Sequence, residues 1–266
     1  MSPVTWRRRD NEVLLAVDIG NTNIVLGVFR QQALKGHWRI STVTRKTADE
    51  YGAGLIALLS AADLSKNDIK RAIISSVVPA LDQVFKEALS RYLGVDPRVV
   101  THENCGMPVL TDNPEEVGAD RLVNAVAAYS AHKGALIVVD FGTAVTFDYV
   151  TENGEYAGGI IAPGIGISTE ALFARTAKLP RIEPGRPSKL IGTSTVESMR
   201  SGVFYGFLGL VDGIIERMMK EVATGPRVVA TGGLATIVIG ESRYITGADE
   251  FLTLEGLRII DEGAEQ

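Results

Sequence analysis

The chain is poor in the residues that most often announce a site. Its 266 residues include one cysteine, Cys105, and three histidines, His37, His102 and His132. A lone cysteine excludes an intrachain disulfide framework, and the scattered histidines offer no zinc-type cluster. No motif pairs Cys105 with a histidine, so it is read as non-catalytic. Neither sign of charge dominates: 27 Lys+Arg stand against 32 Asp+Glu, a formal net charge of −5. That balance gives no general pull toward nucleic acid or an anionic membrane. No apolar run reaches membrane-spanning length. Arg7, Arg8 and Arg9 precede an apolar run, but Val13–Val17 is too short for a secretory segment. There is no G-x-x-x-x-G-K-[ST] loop either, which excludes a P-loop enzyme. A cytoplasmic protein that contacts neither membrane nor nucleic acid is expected, with residues 1–12 as a flexible extension.

What is present is ordinary globular material, 45% hydrophobic and 22% charged, with 28 glycines. It is enough for one large domain or two modest ones. The informative feature is an internal echo. LLAVDIGNTNIVLGVF, from Leu14, is matched by LIVVDFGTAVTFDYV, from Leu136. Each is an apolar run broken by Asp-x-Gly and small polar residues, then apolar again. Asp18 matches Asp140 and Gly20 matches Gly142, both 122 residues apart. Each is followed by a polar turn and a further strand, GHWRIS in the first half and GEYAGGIIA in the second. RAIISSVVP and RVVATGGLA extend the echo. Helical spacing marks Ala48–Leu64, Leu81–Gly94 and the glycine-spotted stretch after Thr195.

These patterns imply an α/β protein of two similarly folded halves with a ligand cleft between them. Glycine in a tight turn lets backbone N–H groups approach a ligand, while Asn and Thr add hydrogen bonds. A carboxylate beside a phosphate makes sense if a cation lies between them, as Mg²⁺ does with nucleotides. One such turn alone is an ordinary hairpin; two in echo favour phosphate binding. Asp120 and Arg121 lie near an expected helix start, with Asn113 as cap and Pro114 in the first turn. Leu122, Val123, Val126 and Tyr129 supply an apolar face behind them. Thr231-Gly232-Gly233 reads either as a backbone platform for a flat ligand or as a plain strand-to-helix turn. Phe204, Tyr205, Phe207 and Leu208 look exposed, and fit a subunit contact or plain core.

These residues resemble the acetate and sugar kinase, Hsp70 and actin superfamily, and within it the type III pantothenate kinases. DIGNTNIVLG is similar to the family's first phosphate motif, GADR (Gly118–Arg121) to its Gly-x-Asp-Arg signature, and DFGTAVTFD to its second phosphate motif. GGIIAPGIGIS, TAKLP, IGTSTVESMRSG and TGGLA follow in the family's order. The resemblance implies two actin-like (ribonuclease H-like) α/β domains flanking a nucleotide cleft, over residues 13–118 and 119–258. It implies ATP-dependent phosphorylation of pantothenate to 4′-phosphopantothenate, by a homodimer using Mg²⁺ with ATP and a monovalent cation, K⁺ or NH₄⁺.

Residue by residue, the resemblance assigns ATP contacts to Asp18, Ile19, Gly20, Asn21, Thr22, Asn23, Ile24, Val25 and Thr143, with Asp18 also facing Mg²⁺. Asp120 is the implied base for the pantothenate hydroxyl. Gly118, Ala119, Arg121 and Thr111 are implied to bind the substrate, and Thr195 to reach it from the partner subunit. Asp140 is the implied monovalent-cation ligand. Thr111 departs from the pattern, because the family usually has tyrosine seven residues before this glycine. Two alternatives stand beside pantothenate: another small hydroxyl acceptor, and a nucleotide-binding regulator without turnover.

Overall fold

The computed structural model describes residues 12–264, and the expected extension lies outside them except for Glu12. The chain divides into two compact units. Unit 1 comprises residues up to Gly106, Gly118–Val123, and the chain from Thr253 onward; unit 2 comprises Met107–Val117 and Asn124–Leu252.

In unit 1, β1 (Val13–Ile19), β2 (Asn23–Arg30) and β3 (Ala33–Ser41) form an antiparallel meander, and β4 (Ile69–Ser76) and β5 (Arg98–Val99) extend it in parallel. The order is β3-β2-β1-β4-β5. The apolar run of β1 is continuous because the central strand is buried on both faces. Leu15, Val17, Ile24 and Leu26 pack with Leu55 and Leu59 of α1 (Ala48–Ala61) and with Leu81 and Phe85 of α2 (Pro79–Ala88). Thr47 opens α1 with a full capping box: its hydroxyl accepts from the Glu50 amide, and its own amide donates to the Glu50 carboxylate. Gly94, in the left-handed region at φ 71°, closes the turn that follows α2.

α3 (Ala119–His132) passes from unit 1 into unit 2, the boundary falling between Val123 and Asn124. The expected cap at Asn113 does not form. Pro114–Glu116 make a separate 3₁₀ turn without a side-chain cap, Val117 is extended, and α3 starts anew at Ala119. Proline suits the first position of that short turn, but the extended residue behind it breaks continuity.

Unit 2 repeats the plan of unit 1. β6 (Leu136–Phe141), β7 (Ala144–Val150) and β8 (Tyr156–Pro163) form the meander, and β9 (Arg227–Thr231) joins β6 in parallel, giving the order β8-β7-β6-β9. The two echoed sequence pairs are therefore the two central strands and their parallel neighbours. α4 (Ile165–Ala174) follows β8, and α5 (Thr195–Val222) covers the sheet. Ile137, Val139 and Phe147 pack with Phe207, Val211 and Ile215, and the Phe141 and Phe207 rings lie 6.0 Å apart, edge to face. Phe204 and Phe207 are thus buried, not exposed.

α6 (Leu252–Gly263) returns the chain to unit 1. Arg71 of β4 pairs with Asp261, and Arg98 donates to the carbonyl of Ile260 at 3.0 Å. No helix among the described residues is long and apolar enough to cross a membrane.

Candidate active site

Each unit carries one Asp-x-Gly hairpin at the end of its central strand. In unit 1, Asp18 lies opposite Val25 on β2 and beside Ser75 on β4. The Gly20 amide donates to the Asn23 carbonyl at 3.0 Å, closing the turn. Thr42 braces it from outside: its hydroxyl donates to the Gly20 carbonyl at 2.6 Å, and its amide donates to the Thr22 carbonyl at 3.0 Å. Asn21 and Thr22 are exposed at the tip, Gly20, Asn23 and Val25 are half-buried, and Ile19 and Ile24 are core. The residues split by role. The isoleucines anchor the hairpin, and the small polar residues form its tip.

Asp120 and Arg121 belong to the same unit. Val77, just past β4, donates its amide to the Ile19 carbonyl at 3.0 Å. A Cβ added at Gly118 would lie 3.4 Å from the Val77 side chain and 2.6 Å from Oδ1 of Asp120. Any side chain at position 118 would therefore displace the carboxylate. Val77 thus ties the end of the Asp18 strand to the neighbourhood of Gly118, two residues before Asp120. Arg121 donates its amide to Asp120 Oδ1 at 2.8 Å. Burial pushes the Asp120 carboxyl above its usual range, and that amide bond and the Arg121 charge only partly oppose it. A raised carboxyl at a helix start is the environment a general base requires.

In unit 2, Asp140 lies opposite Thr146 and beside Thr231. The Gly142 amide closes the turn on the Ala144 carbonyl at 3.0 Å, leaving Thr143 exposed. Asn124, 1% exposed, donates from Nδ2 to Asp140 Oδ2 at 3.0 Å. Gly232 has φ 95°, and a Cβ there would come within 2.5 Å of Asp140 Oδ1. Thr195, exposed, starts α5 behind the Ser194 cap and lines a cavity of about 730 Å³ with Leu172, Leu179, Ser198 and Met199. Thr111 is half-buried, and its hydroxyl oxygen is buried without a hydrogen-bond partner. Its methyl group faces Gly158, 3.9 Å from where a Cβ would stand. Main-chain bonds between Leu110 and Tyr156, and between Tyr156 and Pro108, hold this segment at the edge of β8.

Unit 1 therefore gathers the hairpin of Asp18 with Gly118, Ala119, Asp120 and Arg121. Unit 2 holds Asp140, Thr143, Thr111 and Thr195, with Thr195 at its own cavity. Reading the sequence missed Asn124, Thr42 and Ser75. Only Asn124 left a trace, as a polar residue within the apolar run Leu122–Ala128. Cys105 is fully buried, its thiol directed to the His102 carbonyl.

Among the described residues, no group of three or more His, Cys, Asp or Glu could hold a metal ion unaided. The donor sets fit cations that share their ligands. Asp18 offers one carboxylate beside a phosphate-type turn, as Mg²⁺ carried by a nucleotide needs.

Two α/β units of the same meander-plus-parallel plan, each with an Asp-x-Gly hairpin, define an actin-like fold. The fold is also that of a candidate 2-dehydro-3-deoxygalactonokinase from Sinorhizobium meliloti, with a TM-score of 0.61 at 15% identity, over 94% of this chain and 99% of that one. Residues 14–217 match the family model described as type III pantothenate kinase. The chain is 52% identical to the type III pantothenate kinase of Geobacter sp. strain M21, over 94% of this chain and 99% of that protein. It is 53% identical to that of Geobacter sulfurreducens, over 94% and 98%. The chain belongs to the type III pantothenate kinase family.

Proposed function

We propose that the chain transfers the γ-phosphoryl group of ATP to the hydroxyl of pantothenate, giving 4′-phosphopantothenate and ADP, the first step toward coenzyme A. The observation that carries this reading is family membership at 52% identity over nearly the whole chain. The raised Asp120 carboxyl supports it in detail.

In this reading Asp120 accepts the hydroxyl proton as the oxygen attacks the γ-phosphorus, and the bond to the β–γ bridging oxygen breaks. Arg121 holds the pantothenate carboxylate through its guanidinium fork. The Gly20–Asn23 turn receives phosphate oxygens through amides and small side chains, with Thr42 holding the turn in shape. Thr143 contacts the nucleotide from the second hairpin. Asp18 is the residue that would hold Mg²⁺ brought by ATP, which would supply charge neutralisation on the phosphates. Asp140 would hold K⁺ or NH₄⁺. The half-buried Thr111, facing Gly158, fits a substrate wall reduced by loss of an aromatic ring.

The same reading makes the protein a homodimer in which Thr195 serves the partner's substrate. Exposed large apolar side chains are concentrated in unit 2, at Ile161, Phe173, Leu190, Ile191 and Val196. Side chains of this kind on a soluble enzyme usually find a protein partner. A cytoplasmic setting fits the ATP supply and the buried, unpaired-by-disulfide Cys105.

The test is ADP release with ATP, Mg²⁺, K⁺ and pantothenate, compared with a panel of other small hydroxyl acceptors. ADP formation that depends on pantothenate supports the assignment. ADP formation only with another acceptor, or saturable ATP binding without turnover, refutes it.

A further inference from the structure

Asn124 is the one amide side chain on α3, it is 1% exposed, and packing alone does not explain its presence. It sits among Leu122, Val123, Ala125 and Ala127, all buried. A polar amide in such a run is costly unless its hydrogen bonds are made. Here the bond goes to a charged acceptor, Oδ2 of Asp140, at 3.0 Å. On the other side, Gly232 leaves room for Oδ1. Three elements of unit 2 therefore define one carboxylate: β6 carries it, α3 supplies a donor to one oxygen, and the turn after β9 withholds a side chain from the other. Asp140 nonetheless keeps intermediate exposure, so it is fixed without being sealed. A carboxylate fixed and still reachable is suited to a ligand, and fixing it by an outer partner raises affinity by removing its freedom to rotate.

We propose that Asn124 is a positioning residue that holds Asp140 in the orientation that receives a monovalent cation, and so sets the cation's affinity. This rests on the reading of Asp140 as the cation ligand. Asn124 touches neither substrate in this scheme; it acts through Asp140. One hydrogen bond to a charged group accounts for on the order of tenfold or more in the half-saturating K⁺ concentration.

The test follows the melting temperature of the purified protein, with ADP and Mg²⁺ present, as K⁺ replaces choline at constant ionic strength. Wild type, Asp140→Asn, Asn124→Leu and Asn124→Ser are compared, the serine variant serving if leucine does not fold. Turnover is titrated with K⁺ in parallel. The expected result is a K⁺-dependent rise in wild type that Asp140→Asn abolishes. In the Asn124 variants the midpoint should move to about tenfold higher K⁺ or beyond, with kcat at saturating K⁺ largely kept. If Asp140→Asn abolishes the response but the Asn124 variants keep the wild-type midpoint, Asn124 is packing only and the inference fails while the cation reading stands. If wild type shows no response, or Asp140→Asn retains it, the cation reading itself falls and takes the inference with it.

Discussion

Replacing Asp120 by asparagine should separate catalysis from stability in opposite directions. Asparagine keeps the shape, and its carbonyl can still accept the Arg121 amide bond of 2.8 Å. What it removes is the negative charge and the proton acceptor. A general base contributes roughly 10²–10⁴ in rate, so kcat should fall by that factor, a barrier increase of about 3–5 kcal/mol. Stability should move the other way. The folded-state pKa of Asp120 is raised above its ordinary 3.8 because burial disfavours the charged form. Its favourable contribution to folding is therefore complete below that ordinary value and is lost as pH rises through the raised one. The charged form that burial disfavours is one that asparagine does not carry. The variant should therefore gain stability relative to wild type as pH rises from below the ordinary 3.8, and the difference should be smallest in acid. Urea melts at several pH values, with single-turnover phosphorylation by the same preparations, measure both effects. In wild type the acid limb of kcat/KM should lie above the ordinary carboxylate range, and it should be absent from the residual activity of the variant. A folded variant that phosphorylates pantothenate at the wild-type rate would remove Asp120 from the chemistry. A variant destabilised at pH 7, or one whose stability difference ignores pH, would refute the claim that the charge is held at a cost.

Three further substitutions test neighbouring parts of the site. Arg121→Lys loses the planar fork, and KM for pantothenate should rise roughly tenfold with a smaller change in kcat; an unchanged KM would take Arg121 out of the carboxylate site. Ser75, fully buried beside Asp18, has a hydroxyl with no hydrogen-bond partner. Ser75→Ala should therefore be neutral or stabilising by up to about 1 kcal/mol in urea melts, and a loss of that size would mean the hydroxyl is satisfied. Gly232→Ala forces a Cβ to within 2.5 Å of Asp140 Oδ1 and within 2.6 Å of the Phe141 amide, at φ 95°. It should cost about 2 kcal/mol or more and weaken the K⁺ response; a wild-type melting curve would show that this turn has slack.

How far the sequence discloses this architecture depends on the range of the interaction involved. The two Asp-x-Gly hairpins were readable because everything that makes them is local: an apolar run, a tight turn, and a second apolar run within about sixteen residues. The 122-residue repeat then identified β1 with β6, the looser echo of RAIISSVVP in RVVATGGLA identified β4 with β9, and the sheet orders bear out that pairing. The failures share the opposite property. Asn113 carries a good capping side chain, but whether it caps depends on Val117 staying helical, and Val117 is extended. Phe207 looks surface-exposed beside its helix glycines until β6 and the Phe141 ring are placed against it. Thr42 lies twenty-two residues from Gly20 and Asn124 sixteen from Asp140, and nothing in either segment names its partner. Of these, Asn124 alone carried a local contradiction, an amide where a helix in contact with core should be apolar. Such a contradiction can persist only where something beyond packing compensates for it. In the second hairpin that compensation is the bond from Asn124 to Asp140 Oδ2.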